Sequence, residues 1–212
     1  MEIEMKYAIA NKEVAESIWE DDLLDEIGDP DSREAVYMKS AYFDTDSRIL
    51  FKNDVAFRVR MEGNKIVASL KWDGSSSEGL HKREEVNVPV DDPACFSEPS
   101  AEIFKESDQG KALLKLIGDE CLHSILEMNY IRRRLRIDYG KSIMELAIDT
   151  GEILTEEGES PICELEIELF TGEQEDVIAL GDILKEKYGL IPLDTSKYAR
   201  GLKLIRKSDQ EQ

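Results

Sequence analysis

The chain has 212 residues, 41% of them apolar, with a formal net charge of −20. That length and apolar share describe a globular chain with a sizeable core, and no run of roughly 18 apolar residues is present to cross a membrane as a helix. The acidic sum argues against nucleic acid or an acidic membrane as partner, although it does not say where the 27 Lys and Arg sit.

The opening run "MEIEMKYAI" alternates Glu2, Glu4 and Lys6 with Ile3 and Met5, which predicts a strand. Residues 11–27 then read as one helix, with Asn11 as N-cap, Val14, Ile18 and Leu23 at helical spacing, and "GDP" as the stop. Four strands follow: "AVYMKSAYFDT", "DVAFRVRME", "KIVASLKWD" and "GLHKREEVNVPV". "EGNK" joins the second and third as a hairpin, and "DGSSSEG" joins the third and fourth as a looser loop. Residues 91–120 read as a loop followed by a short helix. Three more strands, "HSILEMNYIRRRLRIDYG", "SIMELAIDTGEI" and "PICELEIELF", precede an amphipathic helix at 173–187 and a short final helix in "DTSKYARGLKLI". "EIEMKYAIANKEVAESIWEDDLL" is echoed by "ELEIELFTGEQEDVIALGDILKE", which suggests two related halves, each opening strand–helix and continuing with strands.

Cys95, Cys121 and Cys163 are odd in number and widely spaced. They read as reduced thiols of a cytoplasmic protein, not as a disulfide frame or a zinc site. No basic stretch leading into an apolar core opens the chain, so no signal peptide is expected. His81 and His123 read as structural or surface residues, because neither has an evident partner motif.

The strand alternation carries the functional content. Arg58 and Arg60 share one face, with Phe57 and Val59 on the other. Ser69 and Lys71 oppose Leu70 and Trp72, and Arg83 and Glu85 share a face with Asn87. Arg132, Arg134 and Arg136 oppose Arg133, Leu135 and Ile137; Glu145 and Asp149 oppose Leu146 and Ile148; Glu164, Glu166 and Glu168 oppose Leu165, Ile167 and Leu169. A single strand of this kind is ordinarily a solvent-facing edge. Repetition in strand after strand, with Arg doublets on some and Glu triplets on others, needs compensation, since like charges in register repel. The expected fold is therefore α+β: an eight-stranded antiparallel β-barrel with a charged lumen and helices packed outside.

Inside such a lumen, clustered glutamates suit a hard divalent cation, Mg²⁺ or Mn²⁺. Clustered arginines suit phosphate oxygens, which their planar forks meet bidentately. A small ligand with several negative charges, such as a triphosphate, fits best. The partner expected is thus a small-molecule triphosphate, with no nucleic acid and no membrane; the chain is compatible with a homodimer.

The motifs "EIEMK", "YFDT", "FRVR", "SLKW", "HKREEVNV", "RRRLR", "MELAIDTGEI", "ICELEIEL" and "SKYARG" resemble, in order, those of the CYTH superfamily of triphosphate tunnel metalloenzymes, most closely its bacterial inorganic triphosphatases. The resemblance covers residues 1–205 and leaves 206–212 as a C-terminal tail. It implies metal-dependent hydrolysis of a triphosphate, inorganic tripolyphosphate first, to diphosphate and phosphate. It places Glu2, Glu4, Glu164 and Glu166 as metal ligands, with Asp149 and Glu168 as further acids of that set. It places Lys6, Arg58, Arg60, Lys71, Arg83, Arg132, Arg134, Lys197 and Arg200 on the phosphates. Glu85, Lys71 and Lys197 are the candidates for proton handling; Arg136 has no assigned role. Adenylate cyclase, thiamine triphosphatase and a non-catalytic polyphosphate-binding module are the alternatives. Some members of the superfamily continue into a helical, histidine-rich domain, which these residues do not contain.

Overall fold

A computed structural model describes residues 2–211, with side chains for residues 2–205. Strand β1 (Glu2–Ala8) is followed by helices α1 (Lys12–Trp19) and α2 (Asp22–Ile27), then β2 (Glu34–Thr45), α3 (Ile49–Lys52), β3 (Ala56–Glu62), β4 (Lys65–Ser77) and β5 (Leu80–Val90). After two 3₁₀ turns (Pro93–Phe96 and Ala101–Phe104) come α4 (Asp108–Ile117), β6 (Leu122–Tyr139), β7 (Ser142–Thr155), β8 (Gly158–Thr171), α5 (Gln174–Tyr188), the two-residue β9 (Ile191–Pro192) and α6 (Lys197–Glu211).

The strands run β5-β4-β3-β2-β6-β7-β8-β1, and β1 pairs back onto β5, which closes an eight-stranded antiparallel barrel. β9 adds only a short pairing onto Tyr7 and Ala8. Closure leaves no long free edge. Alternation then assigns every strand one inward and one outward face. Met5, Tyr7, Leu135, Ile137, Leu146, Ile148, Leu165 and Ile167 are buried on the outside beneath α1, α2 and α5. Gly181 lets α5 press onto β1, since a Cβ there would lie 2.4 Å from the Tyr7 hydroxyl. Phe43, Phe57, Val59, Ala68 and Leu70 form a second outer patch, covered by α3, α4 and the two 3₁₀ turns. The segment 91–120 is thus part of the barrel's apolar coat, with Phe104 edge-on to Phe57 at 5.2 Å.

Four expectations are corrected. The helix read at 11–27 is two helices. Asp21 breaks it by accepting the Leu23 N–H at 3.0 Å and capping α2, while α1 is capped by Asn11 as expected. The loop read at "DGSSSEG" is mostly strand. β4 continues to Ser77 through a bulge between Trp72 and Ser75, and a tight turn at Glu78–Gly79, both at positive φ, joins it to β5. The two-halves reading holds only for the strand–helix openings. β1 and β8 lie side by side and α1 touches α5, but after α5 only β9 and α6 follow.

The fourth correction concerns α6. It does not join the outer coat. Leu202, Ile205 and Tyr198 pack against Met38, Tyr42, Leu126, Met128, Ile153 and Ile162, which face the lumen. α6 therefore plugs one end of the barrel with apolar contacts. The tail expected at 206–212 falls on residues whose side chains lie outside those described.

Candidate active site

The register of the sheet brings the charged faces together. Glu2 lies opposite Arg83, Glu4 opposite Glu168, Lys6 opposite Glu166, Lys71 opposite Glu85, and Arg132 opposite Asp149. The lumen encloses a cavity of about 390 Å³. Eight cationic side chains line it: Lys6, Arg58, Arg60, Lys71, Arg83, Arg132, Arg134 and Lys197. Seven acids join them: Glu2, Glu4, Glu62, Glu85, Glu145, Glu166 and Glu168. The wall is thus formally +1 in a chain of −20, so an anion meets a locally favourable field inside an acidic exterior.

The inner end, next to the plug, is a dense ion-pair network. The Lys197 ammonium pairs with Asp149 at 2.8 Å, Glu164 at 2.8 Å and Glu166 at 2.7 Å. Arg132 donates to both oxygens of Asp149, at 2.8 and 2.7 Å, and also reaches Glu166. Lys6 bridges Glu4 at 2.9 Å and Glu166 at 3.2 Å. Burial alone would raise the Glu166 carboxyl, but Lys197, Lys6 and Arg132 outweigh it and hold it well below its usual range. Asp149 is held low in the same way by Arg132 and Lys197. Burial works against the Lys197 charge too, and Asp149 and Glu166 overcome it, so its pKa is raised.

Further along, Lys71 stands between Glu2 at 3.1 Å and Glu85 at 3.0 Å. Despite burial, Lys71 and Arg58 hold Glu85 below its ordinary value. Arg58 donates to Ser69 at 2.9 Å and Arg60 to Ser40 at 3.2 Å. In the cavity wall, Arg58 Nε and Arg83 Nε are buried without a hydrogen bond among the described residues, although Arg83 Nε lies 3.6 Å from Glu2. At the open end, Arg134 is tied to Glu34 and Glu62, and Phe170, 56% exposed, continues the Glu164–Glu166–Glu168 face to the rim.

The carboxylates fit a divalent cation by chemistry. Glu2, Glu4, Glu166 and Glu168 line one cavity from two paired strands, and all offer oxygen donors. Glu168 shows the crowding: burial, then the carboxylates of Glu2 and Glu4, push it up to about 7. A hard cation would relieve that repulsion. Glu2, Glu4 and Glu166 turn to Lys and Arg partners. Among the described residues no three His, Cys, Asp or Glu close around one point.

Of the residues singled out in the sequence, Asp149, Glu164 and Arg200 lie outside the cavity wall. Arg200 pairs with Glu164 behind Lys197. Arg136 is exposed. His81 is buried, with Nε2 2.7 Å from the Leu193 carbonyl, and His123 sits beside Asp46 at the surface. Sequence reasoning missed Glu62, Tyr42, Phe170 and Tyr198, and gave Asn87 its face but no role. Glu62 and Phe170 were reachable by extending the period-2 count two residues past Arg60 and Glu168; Tyr198 was not, because its place depends on where α6 docks.

A side chamber of about 230 Å³ adjoins the lumen and shares Ala56, Lys71, Arg83, Ser196 and Tyr198 with it. Its outer wall carries Phe51, Trp72 and Leu202 together with Asp54 and Asp194.

The chain is 28% identical over 171 residues to an inorganic triphosphatase of Haemophilus influenzae, a match covering 78% of this chain and 45% of that relative. It thus spans less than half the length of that relative. Among solved structures it is similar in fold to HpAC1 of Hippeastrum, described as an adenylyl cyclase with a dominant triphosphatase activity (TM-score 0.70, 22% identity, 96% of each chain). A Pyrococcus horikoshii protein is similar at a TM-score of 0.60 and 19% identity, over 96% of this chain and 99% of that one. Residues 1–202 match the CYTH domain, and with that match over a closed tunnel of the expected topology the chain belongs to the CYTH domain family.

Proposed function

We propose that this protein hydrolyses a triphosphate, inorganic tripolyphosphate first, to diphosphate and phosphate inside the lumen. The observation that carries this is the cavity lined by eight cations, two of which keep a buried guanidinium Nε that makes no hydrogen bond among the described residues. Such donors are costly unless a ligand satisfies them. The similarity to the Haemophilus influenzae enzyme supports the same reading.

In this mechanism Arg58, Arg60, Arg83 and Arg132 bind phosphate oxygens and offset their charge. Lys197 stays an ammonium, because Asp149 and Glu166 raise its pKa, so it stabilises charge and does not act as a base. Glu85 accepts from Lys71 and orients that ammonium toward the lumen. Water attacks the terminal phosphorus, the bond to the bridging oxygen breaks and that oxygen departs on diphosphate, while one proton of the water stays on the product phosphate and the other passes to solvent. Glu2, Glu4, Glu166 and Glu168 would hold Mg²⁺ or Mn²⁺, which supplies Lewis-acid neutralisation of phosphate charge.

The side chamber favours a second reading. An apolar and acidic recess next to Lys71 and Arg83 suits an organic group attached to the triphosphate, as in ATP cyclisation or thiamine triphosphate hydrolysis. One experiment separates these readings. Purified protein with Mg²⁺ or Mn²⁺ is offered tripolyphosphate, ATP and thiamine triphosphate, and phosphate, diphosphate and cyclic AMP are assayed. Phosphate and diphosphate released fastest from tripolyphosphate is the expected result. Cyclic AMP from ATP would transfer the assignment to the cyclase class, and binding without turnover of any substrate would sink the enzyme reading.

A further inference from the structure

Tyr130 lies on the lumen face of β6, two residues from Arg132 and opposite Gly151 of β7. It is 2% exposed. A Cβ at Gly151 would come within 2.5 Å of Tyr130 Cα and Cβ, so the glycine makes room for this residue. The ring sits where the lumen changes character. On one side are the apolar plug residues Met38, Met128 and Leu202. On the other are three cations from three different elements: the Lys197 ammonium 5.7 Å from the ring centroid, the Arg60 guanidinium 5.9 Å and the Arg132 guanidinium 6.0 Å.

Three like charges do not converge without a compensating surface. Asp149 and Glu166 compensate Arg132 and Lys197. Among the described residues Arg60 has no carboxylate ion pair, and besides the ring it donates to the neutral Ser40 hydroxyl. An aromatic face is negative, and a buried one attracts cations within about 6 Å. Tyr130 is not among the residues of the cavity wall, and its hydroxyl is buried without a hydrogen bond among the described residues.

We propose that Tyr130 is a positioning residue. Its buried ring holds Arg60, Arg132 and Lys197 converged at the inner end of the lumen and thereby sets the affinity for substrate phosphate. The proposal rests on the triphosphate reading above, and its test separates the two. Tripolyphosphate is titrated calorimetrically into the full chain without divalent cation, so that turnover does not intervene. Wild type, Tyr130→Phe and Tyr130→Leu are compared, with thermal unfolding of each. Tyr130→Phe keeps the ring and should bind within about twofold of wild type, while Tyr130→Leu should bind about tenfold more weakly. With divalent cation present, the loss should appear in KM, with kcat changed by less than about twofold. Should Tyr130→Leu fold poorly, pentafluorophenylalanine at 130 keeps the shape and reverses the ring's field; it should weaken binding as Leu does. A purely structural role would lower the melting temperature and leave the dissociation constant of the folded protein alone. Unchanged affinity in Tyr130→Leu or in the fluorinated variant, or equal weakening by Phe and Leu, overturns the proposal. Absence of tripolyphosphate binding by the wild type removes the functional reading, and this inference with it.

Discussion

Along β8, neighbouring residues belong to two different environments. Leu165 and Ile167 are fully buried under the helical coat, and Glu164 and Glu166, also buried, point the other way into the barrel. The outer face gains free energy by removing apolar surface from water. The inner face gains little from its buried ion pairs, whose desolvation cost nearly cancels their attraction. Breaking one such pair is expensive all the same, because it strands an unpaired charge. The two faces should therefore fail differently, the outer in stability alone and the inner in function first, except where a whole cluster loses its counter-ion.

That exception gives the largest effect. Lys197→Ala removes the ammonium that Asp149, Glu164 and Glu166 share, leaving them only Arg132, Lys6 and Arg200, and should destabilise the fold by about 3 kcal/mol in urea unfolding. A variant as stable as wild type would show that the network is hydrated. Ile167→Ala on the outer face should cost about 2–5 kcal/mol, with tripolyphosphate affinity unchanged below the unfolding transition; a lost affinity would mean that the faces are coupled. Glu4→Gln should cut metal-dependent turnover on the order of 10²-fold while its melting temperature stays near wild type, and wild-type turnover at matched Mg²⁺ would remove Glu4 from the site.

The smallest effect tests a buried acid of the outer shell. Burial would raise the Asp21 carboxyl, but hydrogen bonds from Lys187, Tyr188 and the Leu23 N–H hold it below its ordinary value. A depressed carboxyl stabilises the fold above its unfolded pKa of about 3.9 and loses that contribution as pH falls through the lower folded value. Asp21→Asn should be less stable than wild type at pH 6, by under about 1 kcal/mol since Lys187 is half exposed, and the gap should close near pH 2. A gap that persists at pH 2 would mean that the carboxylate's charge is not what matters.

Much of the lumen was legible from alternation alone. Arg58, Arg60, Lys71, Arg83, Glu85 and Arg132 were placed on one surface by a period of two, and the barrel's register puts them there. The helix break at Asp21 was not legible, because an aspartate inside an acidic helical stretch looks like any other until Lys187 and Tyr188, 166 and 167 residues away, grip it. Nor was the role of Tyr130, which in sequence is one aromatic in a strand.

Local pattern by itself determined which residues share a face, because side-chain direction in a strand follows from backbone geometry with no knowledge of partners. It also settled which helices carry an apolar stripe. Only the tertiary structure decided where each acid found its cation, and that α6 closes the barrel end instead of joining the coat. Those outcomes depend on contacts between segments far apart in the chain. The Tyr42 and Tyr198 rings, stacked at 4.8 Å, come from opposite ends of the sequence, and no local signal records that they meet.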